Sequence, residues 1–143
     1  MTDWKERYHA AHKEWFARTY PKAYADGHYT KPVMPKYKTA NGLTTLICSY
    51  LKWVNGIGNR INVTGRQIGG KWIKSATLVG TADISAILPN GKTIYLEVKV
   101  GNDRPRKEQL LMQERIRAIG GVYEFVKLPE EFFYIYDREM NKP

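Results

Sequence analysis

Asp83, Glu97 and Lys99 are the residues of this chain whose types and spacing could do chemistry together. Glu97 and Lys99 stand two apart in Thr93-Ile94-Tyr95-Leu96-Glu97-Val98-Lys99-Val100, where β-branched and aromatic residues in alternation predict a strand. Successive side chains on a strand point to opposite faces. Ile94, Leu96, Val98 and Val100 therefore share an apolar face, and Tyr95, Glu97 and Lys99 share the other. The carboxylate and the ammonium would sit roughly 6–7 Å apart along one side of a sheet. That pattern suits a metal ligand beside a cation that handles an anionic oxygen. It equally suits a solvated strand face carrying an ion pair. Cutting a phosphodiester needs a nucleophilic water, neutralisation of the phosphate charge and support for the leaving oxygen, which a hard divalent cation can supply. Mg²⁺ takes one or two carboxylates and keeps several waters. Asp83 and Glu97 would form that pair, with the backbone carbonyl of Val98 as a third oxygen. Lys99 would position or polarise the water, or stabilise developing negative charge. An Asp followed at a distance by Glu-x-Lys occurs by chance in many chains, so the elements that position the three decide its weight.

Thr81–Leu88 reads as a strand, and Pro89-Asn90-Gly91 between two apolar runs is a strong hairpin signal. Antiparallel pairing of 81–88 with 93–100 brings Asp83 alongside the far end of the second strand, where Glu97 and Lys99 sit. A helix is expected from about Pro105 to Ile119, with the proline in its first turn and Met112, Ile116 and Ile119 on its buried stripe. Gln109, one turn before Met112, would face the sheet. Gly120-Gly121 stops this helix, and Val122–Val126 is a further strand. Phe132–Tyr136 reads as a last strand or an apolar docking segment, and 138–143 as a frayed tail.

Before the hairpin, residues 3–20 have helical spacing, with Trp4, Tyr8, Ala11 and Trp15 in one stripe, Phe16 beside it, and Thr2 or Asp3 as cap. His9 and His12 lie three apart on this helix, where packing or solvent contact is the better reading, since two histidines alone make a poor metal site. Pro21 is expected to end the helix. Residues 21–42 look irregular, with Lys31, Lys36 and Lys38 interleaved with Tyr29 and Tyr37. Residues 43–54 form a second helix, whose buried face is Leu43, Leu46, Ile47, Tyr50, Leu51 and Val54 and which Gly56 and Gly58 stop. A short strand over 60–64 and a basic, glycine-containing loop over 65–75 follow.

The chain has 143 residues, the size of one compact domain, and a formal net charge of +9. No acidic residue occurs between Asp26 and Asp83, an interval that holds eight lysines and arginines. A one-signed stretch of that length points to a polyanion, most often nucleic acid. Arg60, Arg66, Lys71, Lys74, Arg104, Arg106 and Lys107 are the candidate DNA contacts. The single cysteine, Cys48, excludes an internal disulfide and a multi-cysteine zinc site, and reads as a small core residue. The N-terminus has no apolar signal region and no apolar run approaches the ~20 residues of a membrane span, so a soluble, cytoplasmic protein is expected.

Gly80-Thr81-Ala82-Asp83, the Pro89-Asn90-Gly91 turn, Leu96-Glu97-Val98-Lys99, Gln109 at the head of the next helix and Gly120-Gly121 before a strand together resemble the VRR-NUC domain, a family of the PD-(D/E)XK nuclease superfamily. The resemblance spans roughly residues 43–127. It implies an α/β fold: a restriction-endonuclease-like mixed β-sheet flanked by helices, here with an extra N-terminal helix. It implies metal-dependent DNA cleavage, with Asp83 and Glu97 as metal ligands, Lys99 as the catalytic lysine and Gln109 as the helix glutamine near the site. Small stand-alone members, from bacteria and their viruses, are associated with dimers acting on branched DNA such as four-way junctions. Two departures stand out. The proline of the superfamily name is Ala82 here. Many members also carry a glutamate on the helix corresponding to 43–54, where this chain has no acid. Glu14, Glu108 or a partner subunit would have to supply it, or the site uses fewer ligands; one metal is preferred.

These readings divide the chain into an N-terminal helix and basic segment (1–42), a nuclease core (43–128) and a C-terminal tail (129–143). They lead to a Mg²⁺-dependent endonuclease, with Mn²⁺ expected to substitute, that cuts structured or branched DNA in a bacterial host cytoplasm. A homodimer would match the near-twofold symmetry of a junction, with 132–136 as a candidate interface. The alternatives are a catalytically inactive DNA-binding module of the same fold, and an interaction protein whose charged strand is ordinary surface.

Overall fold

The tight turn at Pro89-Asn90-Gly91 joins the two central strands, β4 (Ile84–Ile87) and β5 (Thr93–Val98), of a four-stranded sheet. Gly91 adopts a positive φ there, and the Asn90 side chain accepts from the Lys92 amide at 3.1 Å. The computed structural model describes residues 3–61, 66–73 and 78–143. β4 and β5 pair antiparallel with Ile84 opposite Leu96 and Ile87 opposite Thr93, the hairpin expected from the sequence. β1 (Ile57–Arg60) flanks β4 antiparallel, and β6 (Tyr123–Val126) flanks β5 in parallel, giving the order β1-β4-β5-β6. The parallel pair needs a crossover, and α4 (Lys107–Ala118) provides it across one face of the sheet.

The opposite face carries the main core. Ile84, Ala86, Ile94, Leu96, Val98 and Val126 pack there against α3 (Ala40–Trp53) and α5 (Pro129–Asn141), and α1 (Trp4–Thr19) packs on those two helices. α3 starts earlier than expected because Thr39 caps it, its hydroxyl accepting from the Gly42 amide at 3.0 Å. Leu43, Leu46, Ile47 and Leu51 are fully buried on it. β1 also starts earlier and includes Gly58 rather than following it. A Cβ at Gly58 would lie 2.8 Å from Cys48 Cα, so glycine lets helix and strand approach closely. Residues 62–64 of the expected strand lie outside the described residues.

Four further expectations are corrected. Pro21 opens a short helix, α2 (Pro21–Ala25), inside the segment expected to be irregular. Proline fits a first helical turn, where its missing N–H has no intrahelical partner to lose. The basic loop contains a second, two-stranded sheet, β2 (Arg66–Ile68) and β3 (Lys71–Ile73), turned at Gly69-Gly70 with both glycines at positive φ. Residues 129–141, read as a strand or docking segment and a frayed tail, form helix α5, with Phe132, Phe133, Ile135 and Tyr136 buried in this chain's own core and only Tyr134 of that run exposed. Pro105 lies outside α4, whose N-cap is Arg106; Met112 and Ile116 are half-buried, but Ile119 follows the helix and is 85% exposed.

α1 is fixed to the core by a forked ion pair. Arg7 donates to both carboxylate oxygens of Asp137 on α5 (2.7 and 2.5 Å) and to the Tyr50 hydroxyl on α3 (3.1 Å). Asp3 occupies the N-cap of α1 without a side-chain cap bond, and Thr2 lies outside the described residues. The His12 ring lies 3.2 Å (Nδ1) from the Tyr29 hydroxyl and packs against Trp15 and Trp53. Burial, with the nearby His9, lowers its pKa, as suits a packed neutral ring. Cys48 is half-buried against the core, and burial pushes its thiol pKa up. Among the described residues, no helix is long and apolar enough to cross a membrane.

Candidate metal centre

The register of the hairpin sets the site. Ile84 faces Leu96, so Asp83, the residue before β4, comes level with Glu97. The two interlock. The Asp83 amide donates to Glu97 Oε2 at 3.2 Å, and the Val98 amide donates to Asp83 Oδ2 at 2.9 Å. An extended chain points the N–H and C=O of one residue the same way. The Val98 carbonyl is therefore directed toward Asp83's side of β5, where a third oxygen was expected. The Asp83 carbonyl accepts from the Ile61 amide at 2.7 Å, which ties the end of β1 to the same place.

Glu97 and Lys99 do not form a solvated strand face. They are 4% and 6% exposed, because α4 lies over this side of the sheet. Lys99 Nζ lies 3.5 Å from Glu97 Oε1. Gln109, in the first turn of α4, donates its amide to the same Oε1 at 2.7 Å, while its own oxygen accepts from the Arg106 amide at 2.9 Å. The glutamine expected to face the sheet does so, and it is held at both ends. Gln113, one turn on, donates to the Tyr123 carbonyl at 2.9 Å and ties α4 to β6.

The electrostatics of this group are those of a crowded, partly buried carboxylate pair. Burial and then the Asp83 charge push the pKa of Glu97 up to about 7, and Lys99 only partly offsets them. Two carboxylates forced together out of water repel unless a positive charge joins them. A hard divalent ion held by Asp83, Glu97 and the Val98 carbonyl fits this donor set. Among the described residues no group of three or more acids, histidines or cysteines could hold a metal. Among the described residues, then, neither Glu14 nor Glu108 stands with Asp83 and Glu97 in place of the acid missing from α3.

Two members of the site escape the sequence reading. Asp103 lies four residues after Lys99, with its carboxylate 3.6 Å from Nζ, so the ammonium sits between two acids. Tyr123 is fully buried on β6 and donates its hydroxyl to the Gly80 carbonyl at 2.9 Å, holding the turn before Asp83. Burial first, then the charges of Glu97 and Asp83, raise its pKa. Gly80 itself is required: its φ is +86°, and a Cβ would lie 2.5 Å from the Glu108 carbonyl oxygen on α4.

Of the expected DNA contacts, Arg60 and the group Arg104, Arg106 and Lys107 lie next to this centre. Arg60 ends β1 opposite Ile84, next to Asp83, and is held by Asn41 Oδ1 (2.6 Å) at the start of α3. Arg66 opens β2, Lys71 opens β3 with its side chain exposed, and Lys74 lies outside the described residues. Arg104, Arg106 and Lys107 are exposed on the loop after Lys99 and the first residue of α4.

This architecture matches that of a solved VRR_NUC domain, with a TM-score of 0.51 and 23% sequence identity; the match covers 69% of this chain and 96% of that one. At that identity the likeness establishes the fold: a mixed sheet flanked by helices, of the VRR_NUC type. No protein-family model matches the chain, and no curated protein matches it.

Proposed function

We propose that this chain is a divalent-metal-dependent endonuclease that hydrolyses DNA phosphodiester bonds, acting on branched or otherwise structured DNA. One observation carries the reading: Asp83 and Glu97 are level on adjacent strands, with the Lys99 ammonium 3.5 Å from the Glu97 carboxylate and Gln109 of α4 bound to the same carboxylate. Asp83, Glu97 and the Val98 carbonyl would hold Mg²⁺, or Mn²⁺ in its place. A divalent ion bound there would supply a water of lowered pKa and neutralise charge on the phosphate. Lys99, fixed between Glu97 and Asp103, stabilises negative charge as the water adds to phosphorus and the bridging oxygen departs. Gln109 orients Glu97 by holding Oε1. Arg60, Arg104, Arg106 and Lys107 grip the phosphates that flank the cut. A twofold pair of chains would present two such sites to a four-way junction, and light scattering on the junction complex reads the copy number.

A second reading, a DNA-binding module without catalysis, has one observation in its favour. The start of α3, on the helix where many VRR-NUC members carry a glutamate, bears Asn41 bound to Arg60 and no acid. One experiment separates the two. A labelled four-way junction and a matched linear duplex are incubated with Mg²⁺, with Mn²⁺ or with EDTA, using wild type and Lys99→Ala. The nuclease reading expects metal-dependent cutting, faster on the junction, that falls at least about a hundredfold in the variant. Binding that weakens steeply with salt, with no cutting in either metal, establishes the module instead.

A further inference from the structure

An open depression of about 440 Å³ lies on the surface beside the loop that follows Lys99. The chain turns there at Gly101, where φ is +59°, and its loop runs to α4. Asn102, Asp103, Arg104, Pro105, Leu110 and Lys127 form the walls. Asp103 belongs to both places: it lines the cavity and lies 3.6 Å from Lys99 Nζ. Lys127 leaves β6 beside Lys99, whose amide donates to the Val126 carbonyl at 2.8 Å. Arg104 and Lys127 are exposed, and among the described residues neither forms an ion pair. Leu110 is 46% exposed on a helix whose polar residues would be expected to face outward.

Beside the Asp103 carboxylate, which the Lys99 ammonium faces at 3.6 Å, the wall offers two cations free to meet an anion, an apolar ledge of Pro105 and Leu110, and the Asn102 amide. Those are the parts of a nucleotide's complement, namely phosphate, base face and base edge. The volume lies within the range of small-ligand pockets, about 300–1,000 Å³. We infer that this cavity receives one unstacked nucleotide next to the phosphate being cut, and so selects DNA with an unpaired or weakly paired nucleotide at that position. The inference rests on the nuclease reading for its place beside a scissile phosphate, while the binding preference depends on the pocket lining alone. A base inside a duplex must leave the stack to reach such a pocket, which costs a few kcal/mol and least where it is already unpaired. Preference for branched DNA then follows from the pocket as well as from any symmetry of the assembly.

The test is equilibrium binding of full-length protein in EDTA, so that it does not depend on cleavage. Three fluorescein-labelled duplexes are compared by anisotropy: fully paired, with one bulged thymidine, and with one bulged abasic nucleotide. Wild type is expected to bind the thymidine bulge about tenfold more tightly than the paired duplex, and to lose most of that preference on the abasic one. Arg104→Ala with Lys127→Ala, and separately Leu110→Glu, should reduce the ratio to near one; all three residues are exposed, and circular dichroism checks the fold. Equal affinity of wild type for bulged and paired duplex, an abasic bulge bound as tightly as thymidine, or a ratio unchanged in both variants overturns the inference. Failure to cut any substrate would leave this ratio unaffected and count against the nuclease reading alone.

Discussion

Glu97→Gln should abolish metal-dependent cleavage, a loss of about a thousandfold or more, worth about 4 kcal/mol of transition-state stabilisation. The amide preserves shape but removes the charge that would share the ion with Asp83. It also has one acceptor where the carboxylate has two, one used by Gln109 and one by the Asp83 amide. A gel assay with labelled junction measures the loss; a decrease under tenfold would remove Glu97 from the ligand set. The same substitution has a signature in stability that does not depend on activity. Burial and the Asp83 charge raise the pKa of Glu97 in the folded protein to about 7, above the ordinary 4.5 of a glutamate side chain. Between those values the folded state holds a proton that the unfolded state has released, so stability falls as pH rises through this window. Below it both states are protonated and the effect vanishes; above it the full penalty remains. Metal-free wild type should therefore lose a few kcal/mol between pH 5 and 8, Glu97→Gln should lose less, and urea unfolding in EDTA reads both slopes. Added Mn²⁺ should restore stability more at pH 8 than at pH 5.5, because the ion competes with the proton.

Phe132→Ala should destabilise the protein by about 3–5 kcal/mol. Phe132 is fully buried, with Tyr50, Phe133 and Tyr136 around it at ring separations of 5.9, 5.1 and 6.1 Å. Alanine leaves a cavity between α3 and α5 that rigid aromatic neighbours cannot fill. Urea denaturation measures the change. A cost below about 1 kcal/mol would mean that α5 is an appendage and that 132–136 is available to a partner.

The central hairpin is legible in the sequence because its signals are local. Asn90-Gly91 specifies the turn, and the alternation from Ile94 to Val98 specifies the face, so the residue order alone pairs Asp83 with Glu97. Gln109 is legible for a similar reason, since one helical turn separates it from Met112. The features that escape the sequence depend on packing. The strand alternation places Glu97 and Lys99 on one face but does not say that α4 covers it; only the helix makes that face a buried site. Asp103 joins because the loop folds back after Gly101. In α5, Phe132 to Tyr136 are residues with strong strand propensity, and tertiary burial on a helical stripe overrides that preference. Pro129 followed by Glu130 and Glu131 is a helix-start signal that the aromatic run conceals. Gly58 looks like a stop signal and is instead the point where β1 meets Cys48. Pro21 likewise opens a helix instead of only closing one.

The metal centre is tested most directly by a Mn²⁺ titration of metal-free protein at pH 8, followed by electron paramagnetic resonance of the free ion, with wild type and Asp83→Asn. Asp83 and Glu97, with no third acid placed to share a metal with them among the described residues, predict one ion per chain in wild type and at least about tenfold weaker binding in the variant. No binding by folded wild type, or one ion bound equally well by Asp83→Asn, would contradict the assignment of this pair as the metal centre.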